Sequence, residues 1–351
     1  MPQTDLSLEQ LRDYRPEIPE PAGFDEFWRD TIAEARAIGG AIAREAAETP
    51  ITQLRVDDLT FPGYGGEPIR AWLTMPLHVD GPLPTVVEYL GYGGGRGLPG
   101  ERTQWALAGY AHVLMDTRGQ GSAWGSGGDT PDPHGADSAF PGFMTKGVLD
   151  PDTYYYRRLV TDGVRLIDAV EQLPEVDAAR IAVTGGSQGG AISLAVAALH
   201  PRVAAVMADV PFLSDFERSI AKTPDPPYTE LTRYLGVHRD RTEQVLATLR
   251  FFDGVHFAKR VTAPALLSVG LLDTVTLPST VFAAYNALTV DDREIVVYPY
   301  NGHEHGDLHQ WVAKTRWLAP RFAGDAGERD RGAQASADAA AGSVSTAARA
   351  T

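Results

Sequence analysis

Ser187 is the residue best placed for chemistry in this sequence. It is the centre of Gly-Gly-Ser-Gln-Gly at 185–189, directly after the apolar run Ile181–Thr184 and before the helical pattern Ala191–His200. A strand, a tight turn and a helix in this order form a nucleophile elbow, in which a strained serine stands exposed at the edge of a sheet. The unpaired N–H of Gln188 at the helix start would face a developing oxyanion. The pattern predicts a serine nucleophile in preference to an ordinary glycine-rich turn.

A serine nucleophile needs a base and a carboxylate that orients it, and candidates for both follow in the chain. Asp273 comes shortly after the apolar run Ala265–Gly270, and His303 comes shortly after the run Glu294–Tyr298. Loops that follow successive parallel strands lie at one edge of a sheet, which is also the edge of Ser187. The order Ser, Asp, His is that of the α/β-hydrolase triad.

Two other carboxylates compete with Asp273 for the role of orienting acid. Asp209 ends the run that follows the nucleophile, and Asp116 ends an earlier apolar run. Asp273 is the preferred candidate because its loop precedes that of the histidine by one strand.

A histidine cluster at the same place offers metal binding as an alternative. His303, His305 and His309 lie close together in the sequence, with Glu304 and Asp307 among them. The zinc motif H-E-x-x-H needs two histidines four residues apart on one helical face, whereas this fragment is interrupted by glycine. The chain has no cysteine, so thiolate metal sites are excluded. We therefore expect neither a metal nor a cofactor.

Glycines follow an early strand and allow two interpretations. The stretch 95–100 matches G-x-G-x-x-G, a dinucleotide-binding pattern. However, four residues separate it from Leu90 at the end of the strand, and Pro99 lacks the N–H that a phosphate-binding turn would donate. The loop 91–95 is better interpreted as one that lets backbone approach a substrate, with the N–H of Tyr92 as second oxyanion donor.

The remaining pattern predicts how these loops are positioned. Short apolar runs alternate with helical patterns, most clearly at Tyr154–Leu173, Ala191–His200 and Ser279–Leu288. Such alternation indicates an α/β fold with a mostly parallel central sheet flanked by helices. Before it come a capping-box helix, an amphipathic helix and a hairpin, which form an N-terminal helical and hairpin extension.

We predict a single α/β-hydrolase domain over residues 1–322. It includes a Gly-, Pro- and Asp-rich insertion loop at 119–151, and loops of that length are usually functional or form interfaces. Residues 323–351 are nearly all small or polar, so they are predicted to be a disordered tail.

The charge balance excludes several classes of partner. The 351 residues carry 31 Lys and Arg against 46 Asp and Glu, a net charge of −15, without a basic run. Nucleic-acid binding and a membrane-surface helix are therefore not expected. The polar, acidic start contains no secretory pattern and no apolar run approaches the length of a membrane span, so a cytoplasmic location is predicted.

With these residues assembled, the chain resembles the acetyl xylan esterase / cephalosporin C deacetylase family, carbohydrate esterase family 7. The likeness covers about residues 5 to 322. Its principal motifs are Arg118-Gly119-Gln120, the 185–189 pentapeptide and His303-Glu304, with support from 24–28, 154–158 and 209–213.

The resemblance implies a Ser187/Asp273/His303 triad with the N–H groups of Tyr92 and Gln188 as oxyanion hole. It implies that Arg118 and Gln120 brace the site. It also implies a small acyl pocket for acetate and a ring-shaped homohexamer with the insertion at subunit contacts. Many members have His-Gly-Tyr in the oxyanion loop where this chain has Leu-Gly-Tyr at 90–92, so substrate preference is not carried over.

The predicted function is a cofactor-free serine carboxylesterase. It would remove acetyl groups from small esters, such as acetylated xylo-oligosaccharides or cephalosporin C, through an acetyl-enzyme intermediate. Two alternatives stay open: a serine peptidase of the prolyl-oligopeptidase type, and a non-catalytic binding protein on a hydrolase fold.

Overall fold

A single nine-stranded sheet is the framework of the described part of the molecule. The computed structural model describes residues 5–135 and 137–323. Its strands are β1 (Ala43–Ala46), β2 (Leu54–Pro62), β3 (Pro68–Pro76), β4 (Leu83–Tyr89), β5 (Ala111–Met115), β6 (Val176–Gly186), β7 (Val203–Asp209), β8 (Ala265–Gly270) and β9 (Arg293–Tyr298).

The order of strands across the sheet is β1-β2-β3-β5-β4-β6-β7-β8-β9. The pairs β1–β2, β2–β3 and β3–β5 are antiparallel. All other neighbouring strands in this order are parallel. The inner parallel strands β7 and β8 are buried along almost their whole length, as expected where helices cover both sides of a sheet, whereas the edge strand β9 is partly exposed.

Helices occupy the connections between the strands. Their bounds are α1 (Leu8–Asp13), α2 (Phe24–Ile38), α3 (Gln104–Leu107), α4 (Tyr155–Val170), α5 (Gln188–Leu199), α6 (Phe216–Lys222), α7 (Tyr228–Val237), α8 (Thr242–Arg250), α9 (Gly254–Ala258), α10 (Pro278–Ala287) and α11 (Asp307–Phe322). Among these helices none is both long and apolar enough to span a bilayer.

The predicted α/β fold with a mostly parallel sheet is confirmed, as is the N-terminal extension. Ser7 and Gln10 form the two reciprocal hydrogen bonds of a capping box at the start of α1. The α2 helix buries one apolar face, and β2 pairs with β3 as the predicted hairpin. The predicted bounds of β7 and β8 coincide with those observed.

The chain divides into two compact units, with the boundary between Gln310 and Trp311 inside α11. The predicted tail at 323–351 lies, except for its first residue, outside the described residues. The described residues of the insertion at 119–151 form turns and bends. An isolated β-bridge joins Trp124 of the insertion to Gly94.

Candidate active site

Ser187 stands at the sharp turn between β6 and α5. Its backbone is in a strained region, with φ 58° and ψ −119°, as a nucleophile elbow requires. The turn is fixed on both sides, since the Ser187 N–H donates to the carbonyl of Asp209 (2.9 Å) and its carbonyl accepts from Phe212 N–H (3.0 Å). A Cβ atom on Gly189 would lie 2.0 Å from the carbonyl oxygen of Tyr89, so this position requires glycine.

Asp273 and His303 form a hydrogen-bonded pair at the same sheet edge. Asp273 Oδ2 lies 2.9 Å from His303 Nδ1. The carboxylate is buried and also accepts the N–H groups of Val275 (2.8 Å) and Thr276 (3.0 Å). The histidine side chain remains 34% exposed, so its ring faces both the buried acid and the site opening.

The pair can orient an imidazole for proton transfer, because a carboxylate on Nδ1 fixes the tautomer that leaves Nε2 as the base. Among the described residues no hydrogen bond joins the Ser187 hydroxyl to His303. Contacts of this kind are often long in unliganded enzymes and shorten when substrate binds.

The two competing carboxylates have other partners. Asp209 accepts hydrogen bonds from the Ser268 hydroxyl (3.0 Å) and the Gln310 amide (2.8 Å). Asp116 accepts backbone N–H groups from Arg96 and from residues 129–130 of the insertion. The acid bonded to His303 is therefore that of Asp273.

Two backbone N–H groups are available as oxyanion donors. Within the described residues neither the Tyr92 N–H nor the Gln188 N–H donates to a protein acceptor. Gln188 is the first residue of α5, where helix N–H groups have no intrahelical partner. Such donors can hold the negative charge that develops on an attacked carbonyl oxygen.

A chain of side-chain amides connects the loop of Tyr92 to the helix of Gln188. Gln120 Oε1 accepts from the Gly93 N–H (2.6 Å), and Gln120 Nε2 donates to Gln188 Oε1 (3.0 Å). Gln188 Nε2 in turn donates to the carbonyl of Leu90 (3.2 Å), and Tyr156 donates its hydroxyl to Gln188 Oε1 (3.0 Å). The network holds the two donors in a fixed relation.

Arg118, two residues before Gln120, lies in a buried ionic cluster. Its guanidinium makes two hydrogen bonds to Asp162, at 2.5 and 2.7 Å, and one to Glu67 at 2.6 Å. Arg118 and Asp162 are both fully buried. Burial raises the pKa of Asp162, and the adjacent guanidinium opposes that rise. The cluster ties the segment before the insertion to helix α4.

The histidines of the metal alternative do not converge on a ligand cluster. In the described part of the chain, one group of three acidic or histidine side chains has metal-like spacing: Asp168, Glu171 and His200. There Asp168 is already bonded to Arg36 (2.8 Å) and to Arg165 (2.5 Å). These cations occupy the carboxylate oxygens that a metal would need.

The glycine-rich stretch 95–100 packs against the insertion. A Cβ atom on Gly95 would lie 2.3 Å from the carbonyl oxygen of Gly127. The Arg96 side chain is buried and pairs with Asp58 (2.7 Å) and Asp129 (3.2 Å). The glycine therefore serves close backbone packing, and no helix begins directly after the stretch.

Two residues lie near the site although the sequence interpretation named His305 only as a candidate metal ligand and did not name Glu230. The His305 ring lies against Gly186, since a Cβ atom there would be 3.0 Å from His305 Nε2. Glu230 accepts the hydroxyl of Tyr92 at 2.7 Å. The His-Glu-His run hinted at His305, whereas α7, which contains Glu230, gave no sequence signal that related it to the oxyanion loop.

The sequence of residues 1–321 matches the family described as acetyl xylan esterase (AXE1). The chain belongs to this family. Acetyl esterase Axe7A of Xylanibacter ruminicola is 28% identical over 311 residues, which is 82% of this chain and 65% of that protein. This chain thus spans less than two thirds of that relative's length.

Solved structures of the same description are also similar. The acetyl xylan esterase of Paenibacillus sp. R4 is 37% identical, with a TM-score of 0.85, over 90% of this chain and 99% of that one. Acetyl xylan esterase 1 of Thermoanaerobacterium sp. JW/SL YS485 is 34% identical, with a TM-score of 0.83, over 91% and 100%.

An acylaminoacyl peptidase of Pyrococcus horikoshii is 16% identical, with a TM-score of 0.55, over 76% of this chain and 40% of that one. This likeness shows a shared α/β-hydrolase fold and carries nothing about activity. Both predictions, the family and the fold, are confirmed.

Proposed function

We propose that this chain is a serine carboxylesterase that removes acetyl groups from small esters. Acetylated xylo-oligosaccharides and cephalosporin C are the proposed substrates. One observation carries the proposal: the 2.9 Å contact between Asp273 and His303 lies at the sheet edge where the strained Ser187 follows β6. Membership of the acetyl xylan esterase family supports the acetyl group as the acyl part.

In the proposed first step, the Ser187 hydroxyl attacks the acetyl carbonyl while His303 Nε2 takes the hydroxyl proton. The carbonyl oxygen becomes an oxyanion that accepts hydrogen bonds from the N–H groups of Tyr92 and Gln188. Each such donor is worth about 3 to 4 kcal/mol of transition-state stabilisation.

The tetrahedral intermediate then collapses, and the C–O bond to the alcohol breaks. His303 gives its proton to the departing alkoxide, which leaves as alcohol. Water attacks the resulting acetyl-Ser187 ester and loses a proton to His303. As the C–O bond to Ser187 breaks and acetate leaves, His303 returns that proton to the serine oxygen. Asp273 stabilises the imidazolium in both halves of this cycle and stays ionised.

The test is the initial rate of hydrolysis of p-nitrophenyl acetate and p-nitrophenyl octanoate by wild type and S187A. We expect fast release of nitrophenol from the acetate, slow release from the octanoate, and loss of both in S187A. Activity that survives S187A would contradict the serine mechanism. An active enzyme that cleaves peptide amides in preference to acetate esters would favour a peptidase.

A binding protein on this fold would show no turnover in wild type and would not react with an organophosphate. Homohexamer formation, with residues 119–151 at subunit contacts, is a separate proposal that rests on the family resemblance. The molar mass of the full chain, measured by light scattering after size-exclusion chromatography, would test this proposal. The mass of a monomer would contradict it.

A further inference from the structure

The Tyr92 side chain is fixed at its hydroxyl by two partners from distant parts of the chain. The hydroxyl donates to Glu230 Oε1 at 2.7 Å and accepts the N–H of Phe143 at 2.6 Å. Glu230 belongs to α7, whereas Phe143 belongs to the 119–151 insertion. One tyrosine thus joins the oxyanion loop, a helix and the insertion.

The second oxygen of Glu230 holds the insertion directly. Glu230 Oε2 accepts the N–H of Met144 at 3.1 Å, and Met144 is fully buried. A Cβ atom on Gly142 would lie 2.1 Å from the same oxygen, and Gly142 has a φ of 132°. The turn at 142–144 therefore closes on the carboxylate, and only glycine fits at its start.

Glu230 itself is largely buried, and burial raises its pKa. A carboxyl group in such a place needs its hydrogen-bond donors, because an unsatisfied buried polar group costs free energy. The hydroxyl of Tyr92 and the N–H of Met144 provide a donor for each oxygen. Loss of either donor or acceptor would leave the other member of the pair unsatisfied.

The ring of Tyr92 forms part of an aromatic wall beside the nucleophile. It packs edge-on against Phe143, with 5.7 Å between ring centres, and against Phe212 at 6.5 Å. Phe212 is fully buried, and its N–H is bonded to the carbonyl of Ser187. The wall, defined as Tyr92, Phe143 and Phe212, is therefore anchored to the elbow at one end and to Glu230 at the other.

An apolar wall suits the acyl chain of an ester better than a hydroxyl-rich alcohol. The alcohol must leave beside His303, whose side chain is partly exposed. We propose that Glu230 is the positioning residue of this wall, and that it limits the acyl group to acetyl by holding Tyr92 and the 142–144 turn in place. This inference rests on the proposed esterase function and deepens it.

The test compares E230Q and Y92F with wild type on p-nitrophenyl acetate and p-nitrophenyl butyrate. Gln provides one acceptor oxygen in place of two, so either Tyr92 or Met144 loses its partner. Phe removes the hydroxyl while it keeps the ring. We expect the ratio of kcat/KM for butyrate to that for acetate to rise about tenfold in each variant, since added methylenes are discriminated on that scale.

The double variant Y92F/E230Q tests whether the two residues act as one unit. We expect its ratio to match that of the single variants instead of their product, because contacting residues are not additive.

Tyr14 offers a matched control. Its hydroxyl donates to Asp215 at 2.8 Å, a tyrosine–carboxylate contact of the same kind outside the wall. Y14F should lower stability without a change in the butyrate to acetate ratio. A variant that is only less stable, as expected for Y14F, would lose activity equally on both esters. If E230Q and Y92F behave in the same way, Glu230 has only a structural role and the proposal is wrong.

Amide hydrogen exchange gives a readout that does not need turnover. The N–H groups of Phe143 and Met144 should exchange faster in E230Q than in wild type, while the N–H of Ser187 stays protected. Unchanged exchange at 143–144 would refute the proposal that Glu230 holds the 142–144 turn in place. An inactive wild type whose 143–144 amides respond would instead refute the esterase function and, with it, the selectivity role of Glu230.

Discussion

Two buried polar networks flank Ser187, and they differ in charge. On the histidine side, the carboxylate of Asp273 accepts three hydrogen bonds from backbone and hydroxyl groups and contacts His303. On the side of the oxyanion loop, the neutral amides of Gln120 and Gln188 connect Gly93 to Leu90.

The difference follows the charges that acyl transfer develops. In the proposed reaction a positive imidazolium would form on one side, where a fixed negative charge stabilises it, and a negative oxyanion would form on the other, where a fixed negative charge would oppose it. Arg118, close to Gln120, has its positive charge matched by Asp162 and Glu67. The guanidinium of Arg118 therefore faces two carboxylates, and its positive charge is offset within the ionic cluster and does not reach the neutral network uncompensated.

The largest expected effect is at the charged network. In D273N the amide removes the negative charge and favours the wrong tautomer of His303, so kcat for p-nitrophenyl acetate should fall about 10⁴-fold with little change in KM. Steady-state kinetics on purified, folded protein would measure it.

Asp209 is the matched control for this substitution, because it is a buried carboxylate at the end of a neighbouring strand with other partners. D209N should keep kcat far above that of D273N. If D209N removes activity and D273N does not, the assignment of the orienting acid is wrong.

The second effect is on stability and concerns the ionic cluster. R118M leaves the fully buried Asp162 without its guanidinium partner, which should lower the free energy of unfolding by about 3 to 5 kcal/mol in urea titrations. R118M/D162N should recover much of that loss, because the unpaired charge is removed as well. A stable R118M single variant would show that the cluster is not what anchors this segment.

The smallest effect is at the neutral network. Q120E introduces a negative charge beside the oxyanion loop and removes the donor to Gln188, so kcat should fall about 10- to 100-fold, less than the loss of a direct oxyanion donor. Q172E makes the same change at an exposed helix end, where Gln172 contacts Asp168, and should leave kcat unaltered. Equal kcat values for Q120E and wild type would show that a negative charge beside the oxyanion loop does not oppose the reaction.

The sequence allowed the prediction of elements whose pattern is local. Runs such as Val203–Asp209 and Ala265–Gly270 are continuous and apolar because they are buried on both faces, and their ends could be read directly. Helix α5 begins at Gln188, earlier than the predicted Ala191, because glycine and glutamine masked its first turn. The four-residue strand β1, mostly exposed, lacks any such pattern.

The parts that sequence reasoning missed depend on contacts between distant residues. Glu230 lies 138 positions from Tyr92, and only the fold brings them together. Helices α6 to α9 between β7 and β8 are only five to ten residues long, so their apolar spacing is too short to separate them from loops in the sequence. For the candidate triad, by contrast, chain order and strand ends were sufficient to predict that Asp273 lies next to His303.

In the proposed mechanism Ser187 carries the acetyl group during turnover. The most direct test is to mix the enzyme with p-nitrophenyl acetate, quench it in acid within the first turnovers, and map the acetylated peptide by mass spectrometry. We expect one acetyl group on the peptide that contains Ser187, absent from S187A and formed far more slowly in D273N. Acetylation of another residue, or turnover with Ser187 never modified, would contradict it.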